Sequence, residues 1–393
     1  MMLNVGLIRY IVRATDGRGR AHRTPTPRRT TASATPRREV IHPMRFRSRP
    51  ARAAAAAVAA AAALTLAACS SGGSDSEGGD AESFGELNIQ LSWVKNAEFA
   101  GEYFAIENGY FADAGFDDVT LTAGPTATEA TVLSGTALVG VSNPVSTAPV
   151  ILEEDAPLKI IGTTYQKNPY TILSIAGKGD IKTPADLVGK KIGVQAGPNE
   201  TLFDALLAVN EIDPSEVTKV PVEYDPAPLV NGEVDGFFAF VTNESITVEN
   251  LGNEVVNLLL ADNGLPFVAE SFVVTDQSIA ENREALKAFL YAEVLGWKDA
   301  VADADESARL AVEVYGKDLG LDAAKEIAQA KAQNELLIVT DETDANGLLT
   351  ISDELQKQSI ASLAAAGYEI DAEQLFDMSL LAEVYDEHPE LLE

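Results

Sequence analysis

The chain has 393 residues, 46% of them hydrophobic, which is more than one small core can hold and is the composition of an ordinary globular protein. Its formal net charge of −31 is unevenly divided: residues 1–68 carry 13 arginines against Asp16 and Glu39, and the remainder carries 16 basic against 58 acidic residues. That acidic remainder argues against binding nucleic acid or anionic lipid headgroups, and with only Arg283 and Arg309 beyond residue 69 it disfavours a guanidinium clamp for an anionic ligand.

Residues 1–43 are rich in Arg, Thr and Pro and show no apolar periodicity, so they read as an extension ahead of a start at Met44. From Met44, a basic stretch (Arg45, Arg47, Arg49, Arg52) precedes the apolar run Ala53 to Ala68, the order of an export signal over residues 44–68. Sixteen small residues are too few for a comfortable membrane-spanning helix, which needs about 20. The run ends Leu66-Ala67-Ala68-Cys69 and resembles the lipobox of bacterial lipoproteins, which implies lipidation of Cys69, the single cysteine, and anchoring to the outer face of the cell membrane. Residues 69–86, rich in Ser, Gly, Asp and Glu, cannot bury enough apolar surface to fold and are expected to form a flexible tether.

From Leu87 onward, short β-branched runs alternate with amphipathic stretches, the order that builds an α/β protein with mostly parallel sheets. Strands are expected at Leu87–Ser92, Val119–Thr122, Leu138–Ser142, Lys159–Thr164, Lys191–Gln195 and Gly236–Val241, with helices at Glu98–Asn108, Thr201–Val209 and Pro226–Asn231. The apolar runs Tyr170–Ala176 and Glu270–Thr275 read as paired crossings between two lobes. Residues 87–169 and 276–393 then form lobe 1, and residues 170–275 form lobe 2 with its hinge crossings. The C-terminal part reads as mainly helical, with periodic patterns at Arg283–Ala300, Glu306–Tyr315 and Ala323–Asn334. In such a fold a ligand binds between the lobes, at the carboxyl ends of the strands.

The segment Leu91-Ser92-Trp93-Val94-Lys95-Asn96-Ala97-Glu98-Phe99-Ala100-Gly101, continuing to Asn108-Gly109-Tyr110-Phe111, resembles the solute-binding proteins of the NMT1/THI5-like group. Further matches are Val132-Leu133-Ser134-Gly135, the stretch Thr183 to Val194, and Asn231-Gly232-Glu233-Val234-Asp235-Gly236, so that the resemblance covers about residues 87–300. It implies a type II periplasmic-binding-protein fold and a monomeric receptor that hands its ligand to the permease and ATPase of an ABC importer. Within the group the branches for thiamine-pyrimidine precursors, riboflavin, sulfonate or taurine, and nitrate all remain open at this point.

The residues that could hold a ligand follow from these two readings. Trp93 stands after the first strand, where a flat indole can stack on a planar heterocycle or, alternatively, fill the core. Asn96 can donate and accept toward a ring bearing amino and imine groups, or cap the next helix. Asn143, in the turn Ser142-Asn143-Pro144, is a further candidate contact or simply part of a turn, and Tyr165 and Tyr170 bracket the first crossing, where each either closes over the ligand or braces the hinge. Gly197 and Asn199 lie where a strand runs into a helix whose free N–H groups can hold a carboxylate or sulfonate, although turn and capping chemistry explain them as well. Glu244 follows a buried strand of lobe 2, and the resemblance places a cleft-facing polar or acidic residue there; the alternative is a surface glutamate of an acidic protein. A carboxylate pairs with an aminopyrimidine and repels sulfonate or nitrate, which favours a neutral or cationic N-heterocycle as the small-molecule ligand.

Catalysis is not expected. The only histidines are His22, His42 and His388, which disfavours a Ser-His-Asp triad or a histidine metal site, and no P-loop or dinucleotide fingerprint occurs. No metal or cofactor is implied. The enzyme that shares this resemblance, the fungal thiamine pyrimidine synthase, depends on an active-site histidine and a cysteine-rich motif that the body of this chain lacks.

Overall fold

The structure, a computed structural model, describes residues 83–393. The extension at 1–43, the export signal at 44–68, Cys69 and the tether up to residue 82 lie outside the described residues. The tether expected over residues 69–86 does not reach residue 86. Phe84 N–H donates to Gly115 O, and Gly85 and Glu86 already pair with Phe116 and Asp118, so residues assigned to the tether open the first strand.

Two five-stranded sheets form the two lobes. The first contains β1 (Gly85–Gln90), β2 (Phe116–Thr122), β3 (Val139–Ser142), β4 (Leu158–Tyr165) and β10 (Ala269–Thr275) in the order β2-β1-β3-β10-β4. The second contains β5 (Tyr170–Ile175), β6 (Lys191–Val194), β7 (Thr218–Pro221), β8 (Gly236–Phe240) and β9 (Val255–Leu259) in the order β7-β6-β8-β5-β9. The sheets repeat one plan. β1 runs parallel to β2 and β3, β6 runs parallel to β7 and β8, and β10 and β5 are the antiparallel members. β5 and β8 are nearly continuous apolar runs because helices cover both faces of the sheet, whereas the edge strand β2, Phe-Asp-Asp-Val-Thr-Leu-Thr, exposes most of its polar residues.

The runs at 170–176 and 270–275 are not paired crossings. Tyr170–Ile175 pairs with β8 and β9, whereas Ala269–Thr275 pairs with β3 and β4, so each belongs to a different lobe, and lobe 2 ends before residue 269. Both runs are apolar because each is an interior strand. The chain crosses at residues 166–169 and 260–268, where Asn168 Nδ2 donates to Leu265 O at 2.9 Å and ties the crossings together. The C-terminal helices do not serve lobe 1 alone: helix Asp353–Ala365 packs against Pro144–Glu154 of the first lobe and Pro198–Val209 of the second, and Leu363 shares an apolar cluster with Leu202 and Leu206.

The first lobe's core is built on the pairing of helix Ala100–Glu107 with the long helix Arg283–Ala302. Their backbones approach at glycines. A Cβ on Gly296 would overlap the Gly101 carbonyl, and one on Gly101 would overlap the Trp297 ring. Glu102 and Glu293 are buried in this region, and Glu102 Oε2 and both Glu293 oxygens have no hydrogen-bond partner among the described residues. Burial pushes Glu102 up to about 8; burial, and then the charge of Glu102, hold Glu293 well above the usual carboxylate range. Among the described residues no helix is long and apolar enough to cross a membrane, and no cluster of potential metal ligands occurs.

Candidate functional site

A cavity of about 190 Å³ lies between the two sheets, and its position follows from topology. Chain leaving each parallel strand feeds it from the carboxyl end: Ser92 and Trp93 after β1, Thr126 after β2, Asn143 after β3, Asn199 after β6, Tyr224 after β7 and Glu244 after β8. The antiparallel strands enter at the same edge, so they contribute their first residues, Tyr170 from β5 and Glu270 from β10.

Trp93 is positioned by its backbone. Its carbonyl accepts from Gly124 N–H at 2.8 Å, and a Cβ on Gly124 would overlap the Ser92 carbonyl, so only glycine lets the two loops come this close. The indole, half-buried, meets the ring of Tyr224 edge-on across the cleft, with centroids 4.8 Å apart. Tyr170 lies in a further aromatic group with Phe238 and Phe240, and all three line the cavity. The walls are therefore aromatic.

The charged lining is acidic. Glu98, Glu129, Glu244 and Glu270 line the cavity, and among the described residues no lysine, arginine or histidine does. Glu129 is committed within its lobe, its Oε1 accepting from Ser142 Oγ at 2.5 Å and Thr147 Oγ1 at 2.9 Å. Glu244 opens helix Glu244–Asn250 and accepts from Phe240 N–H at 2.8 Å and Asn243 Nδ2 at 3.0 Å, which orients the carboxyl while leaving each oxygen a second lone pair. Burial raises its pKa, opposed by those hydrogen bonds. Glu270 accepts from Ser92 Oγ at 2.6 Å, and burial pushes it up to about 7. Its φ of +48° is uncommon for a residue with a Cβ and falls beside a register irregularity of β10 against β4, the device by which a bulged strand re-aims a side chain.

Of the residues expected from the sequence, Trp93, Asn143, Tyr170, Asn199 and Glu244 line the cavity, and Asn96, Tyr165 and Gly197 do not. Asn96 is buried and its side chain accepts from Glu98 N–H at 3.0 Å, so it caps the turn Ala97–Phe99. Tyr165 is fully buried and donates to Gln333 Oε1 at 2.9 Å within the first lobe. Gly197 precedes the helix Pro198–Val209 with φ +87°, a backbone requirement rather than a ligand contact. Asn143 borders the cavity, and its Oδ1 also caps the next helix by accepting from Val145 N–H and Ser146 N–H.

Sequence reasoning missed Tyr224, Glu98 and Glu270. Glu98 lay inside the motif that carried the resemblance, and an acid at the head of the apolar strand Ala269–Thr275 was a usable signal for Glu270. Tyr224, in a loop without periodicity, offered none.

A family model described as NMT1/THI5 like matches residues 96–307, more than half of the chain. The chain belongs to the NMT1/THI5-like family. The chain is similar to a formylaminopyrimidine-binding protein of Halalkalibacterium halodurans, 27% identical over 234 residues (58% of this chain, 70% of that protein), and to the riboflavin-binding protein RibY of Chloroflexus aurantiacus, 25% identical over 240 residues (58% and 66%). Among solved structures, the periplasmic nitrate-binding protein NrtA from Synechocystis PCC 6803 is similar with a TM-score of 0.58 at 13% identity, covering 78% of this chain and 91% of that one. At that identity the likeness is one of fold: the NMT1/THI5-like chain has the two-lobed architecture of periplasmic solute-binding proteins, as the alternation of its elements predicts.

Proposed function

We propose that this NMT1/THI5-like protein is the extracytoplasmic receptor of an ABC importer and captures a planar, amino-bearing N-heterocycle of the aminopyrimidine kind. The observation that carries the reading is the cavity's composition: aromatic walls from both lobes, three carboxyls not fully engaged by their own lobes, and no basic side chain among the described residues. A flat ring gains stacking area on Trp93 and Tyr170, and ring amino groups donate to Glu244. A sulfonate or nitrate would meet carboxylates where it needs donors. An isoalloxazine presents mainly carbonyl and imine acceptors along its polar edge, which also suits this lining poorly.

Closure follows from the same geometry. A ligand touching Trp93 in one lobe and Glu244 in the other binds the closed form better than the open one and shifts the population by that difference. The lipobox-like segment before Cys69 and the polar stretch after it support a receptor tethered to the outer face of the membrane, working as a monomer beside its permease and ATPase. Among the described residues the lining holds no histidine, cysteine or lysine, which supports a binding rather than a catalytic role.

Calorimetry on the purified full chain with an aminopyrimidine, riboflavin, an alkylsulfonate and nitrate tests the reading. Binding of the aminopyrimidine at micromolar affinity or better, with no heat from the anions, is expected. Tight binding of the sulfonate or nitrate without the aminopyrimidine would overturn it.

A further inference from the structure

Glu98 is 3% exposed and lines the cavity, yet among the described residues no backbone N–H or side-chain donor reaches its carboxyl, and the buried Glu270 lines the same cavity. The two carboxyls come from the two separate chain segments of the first lobe. Glu98 stands on the turn Ala97–Phe99, held by Asn96 at one end and by Glu326, whose Oε2 accepts from Ala97 N–H at 2.8 Å. Glu270 is turned into the cavity by its left-handed backbone and fixed by Ser92. Two buried carboxyls lining one cavity oppose each other's ionisation; burial, and then the Glu270 carboxyl, hold Glu98 well above the usual carboxylate range, so without a cation beside it the pair retains a proton.

We propose that Glu98 and Glu270 form a first-lobe subsite for a protonated amine, which inserts beside them and displaces the retained proton to solvent. The inference rests on the reading of the cleft as an N-heterocycle site and deepens it: the ligand carries donors at two ends, ring amino groups toward Glu244 of the second lobe and an ammonium arm toward the Glu98–Glu270 pair. The exchange balances: an ammonium enters, one proton leaves, and the pair becomes two carboxylates around one cation. The other groups whose charge or polarity bears on the pair are Glu244 on the second lobe's helix, Lys325 on helix Ala323–Gln333, and the buried Glu102, Tyr103, Tyr165 and Tyr170. Lys325 does not replace the ligand's cation, because its Nζ pairs with Glu326 at 3.2 Å and it does not line the cavity.

The test compares two probes on the full chain: an aminopyrimidine bearing a primary aminomethyl arm, cationic across the range used, and its N-formyl derivative, which is neutral in that arm. Calorimetry at pH 6 and pH 8, each in two buffers of different ionisation enthalpy, reads affinity and protons released. The expected result is a preference of at least tenfold for the amine at pH 8, amine affinity at least tenfold weaker at pH 6, and release of up to one proton on amine binding. Glu98→Gln and Glu270→Gln should each collapse the preference for the amine and abolish proton release; if either variant does not fold, the buffer dependence of the unaltered protein decides alone. Equal affinity for the two probes, or amine binding without proton release at either pH, overturns the subsite while leaving the cleft reading intact. Failure of both probes to bind overturns the ligand class, and the subsite with it.

Discussion

Trp93 of the first lobe and Tyr224 of the second meet edge-to-face across the cleft, their ring centroids 4.8 Å apart and their planes inclined at 63°. This contact joins two loops 131 positions apart in sequence, each leaving a strand of a different sheet, and it closes one side of the cavity. Aromatic pairs of this geometry are worth about 0.5–1.5 kcal/mol beyond the area they bury. Trp93→Ala should lose both that contact and the stacking surface, weakening aminopyrimidine binding about 10- to 100-fold, while Tyr224→Ala should cost less. A double-mutant cycle read by calorimetry should show non-additivity; strictly additive losses would mean the pair does not act together in the bound state.

In the proposed reading Glu244, which lines the cavity, accepts from the ligand. In Glu244→Gln one oxygen becomes an NH₂ that cannot accept, either from Phe240 N–H or from a ring amino group. Affinity for the aminopyrimidine should fall by about 1.5–3 kcal/mol, roughly 10- to 100-fold. An unchanged dissociation constant would remove Glu244 from the site.

The helix pair under the first sheet should be intolerant of small additions. Gly296→Ala places a methyl group against the Gly101 carbonyl and Ala105, which forces the helices apart at a cost of about 1–3 kcal/mol. The melting temperature should drop by about 2 °C or more per kcal/mol. An unshifted melt would show that the crossing is looser than the structure describes.

Glu102 and Glu293 make stability depend on pH in a definite sense. Both are held above the carboxylate value of the unfolded chain, Glu102 at about 8, so the folded state keeps protons that the unfolded state has released. Their contribution is fully present below about pH 4.5 and is lost as pH rises toward 8, at up to about 1.4 kcal/mol per pH unit for each retained proton. The melting temperature should therefore fall between pH 5 and pH 8, and the double variant Glu102→Gln, Glu293→Gln should flatten that fall. A native melt that rises across the same window would contradict the burial of these groups as neutral acids.

Much of the site was legible because strand ends are legible. Trp93, Asn143, Asn199 and Glu244 each follow a recognisable apolar run, and in a parallel sheet the residue after the run stands at the cleft edge. Where one residue type serves two purposes, the sequence did not choose. Asn96 and Asn143 are both cap-forming asparagines just after a strand or loop, and only packing makes Asn96 a buried cap and leaves Asn143 beside the cavity. Tyr165 and Tyr170 flank the same crossing, yet one turns inward to Gln333 and the other toward the ligand space.

The sequence by itself determined the two α/β lobes, the cleft between them and the acidic, arginine-poor character of the body, because hydrophobic periodicity and composition are local properties that sum along a chain. Only the tertiary structure decided which carboxyls share the cavity. Glu98 and Glu270 are 172 positions apart, and Glu326 and Gln333 reach back from the C-terminal helix to fasten the Ala97 backbone on which Glu98 depends. Such contacts arise from how β10 returns to the first sheet and how the last helices fold over both lobes, and no local pattern encodes a meeting of that kind.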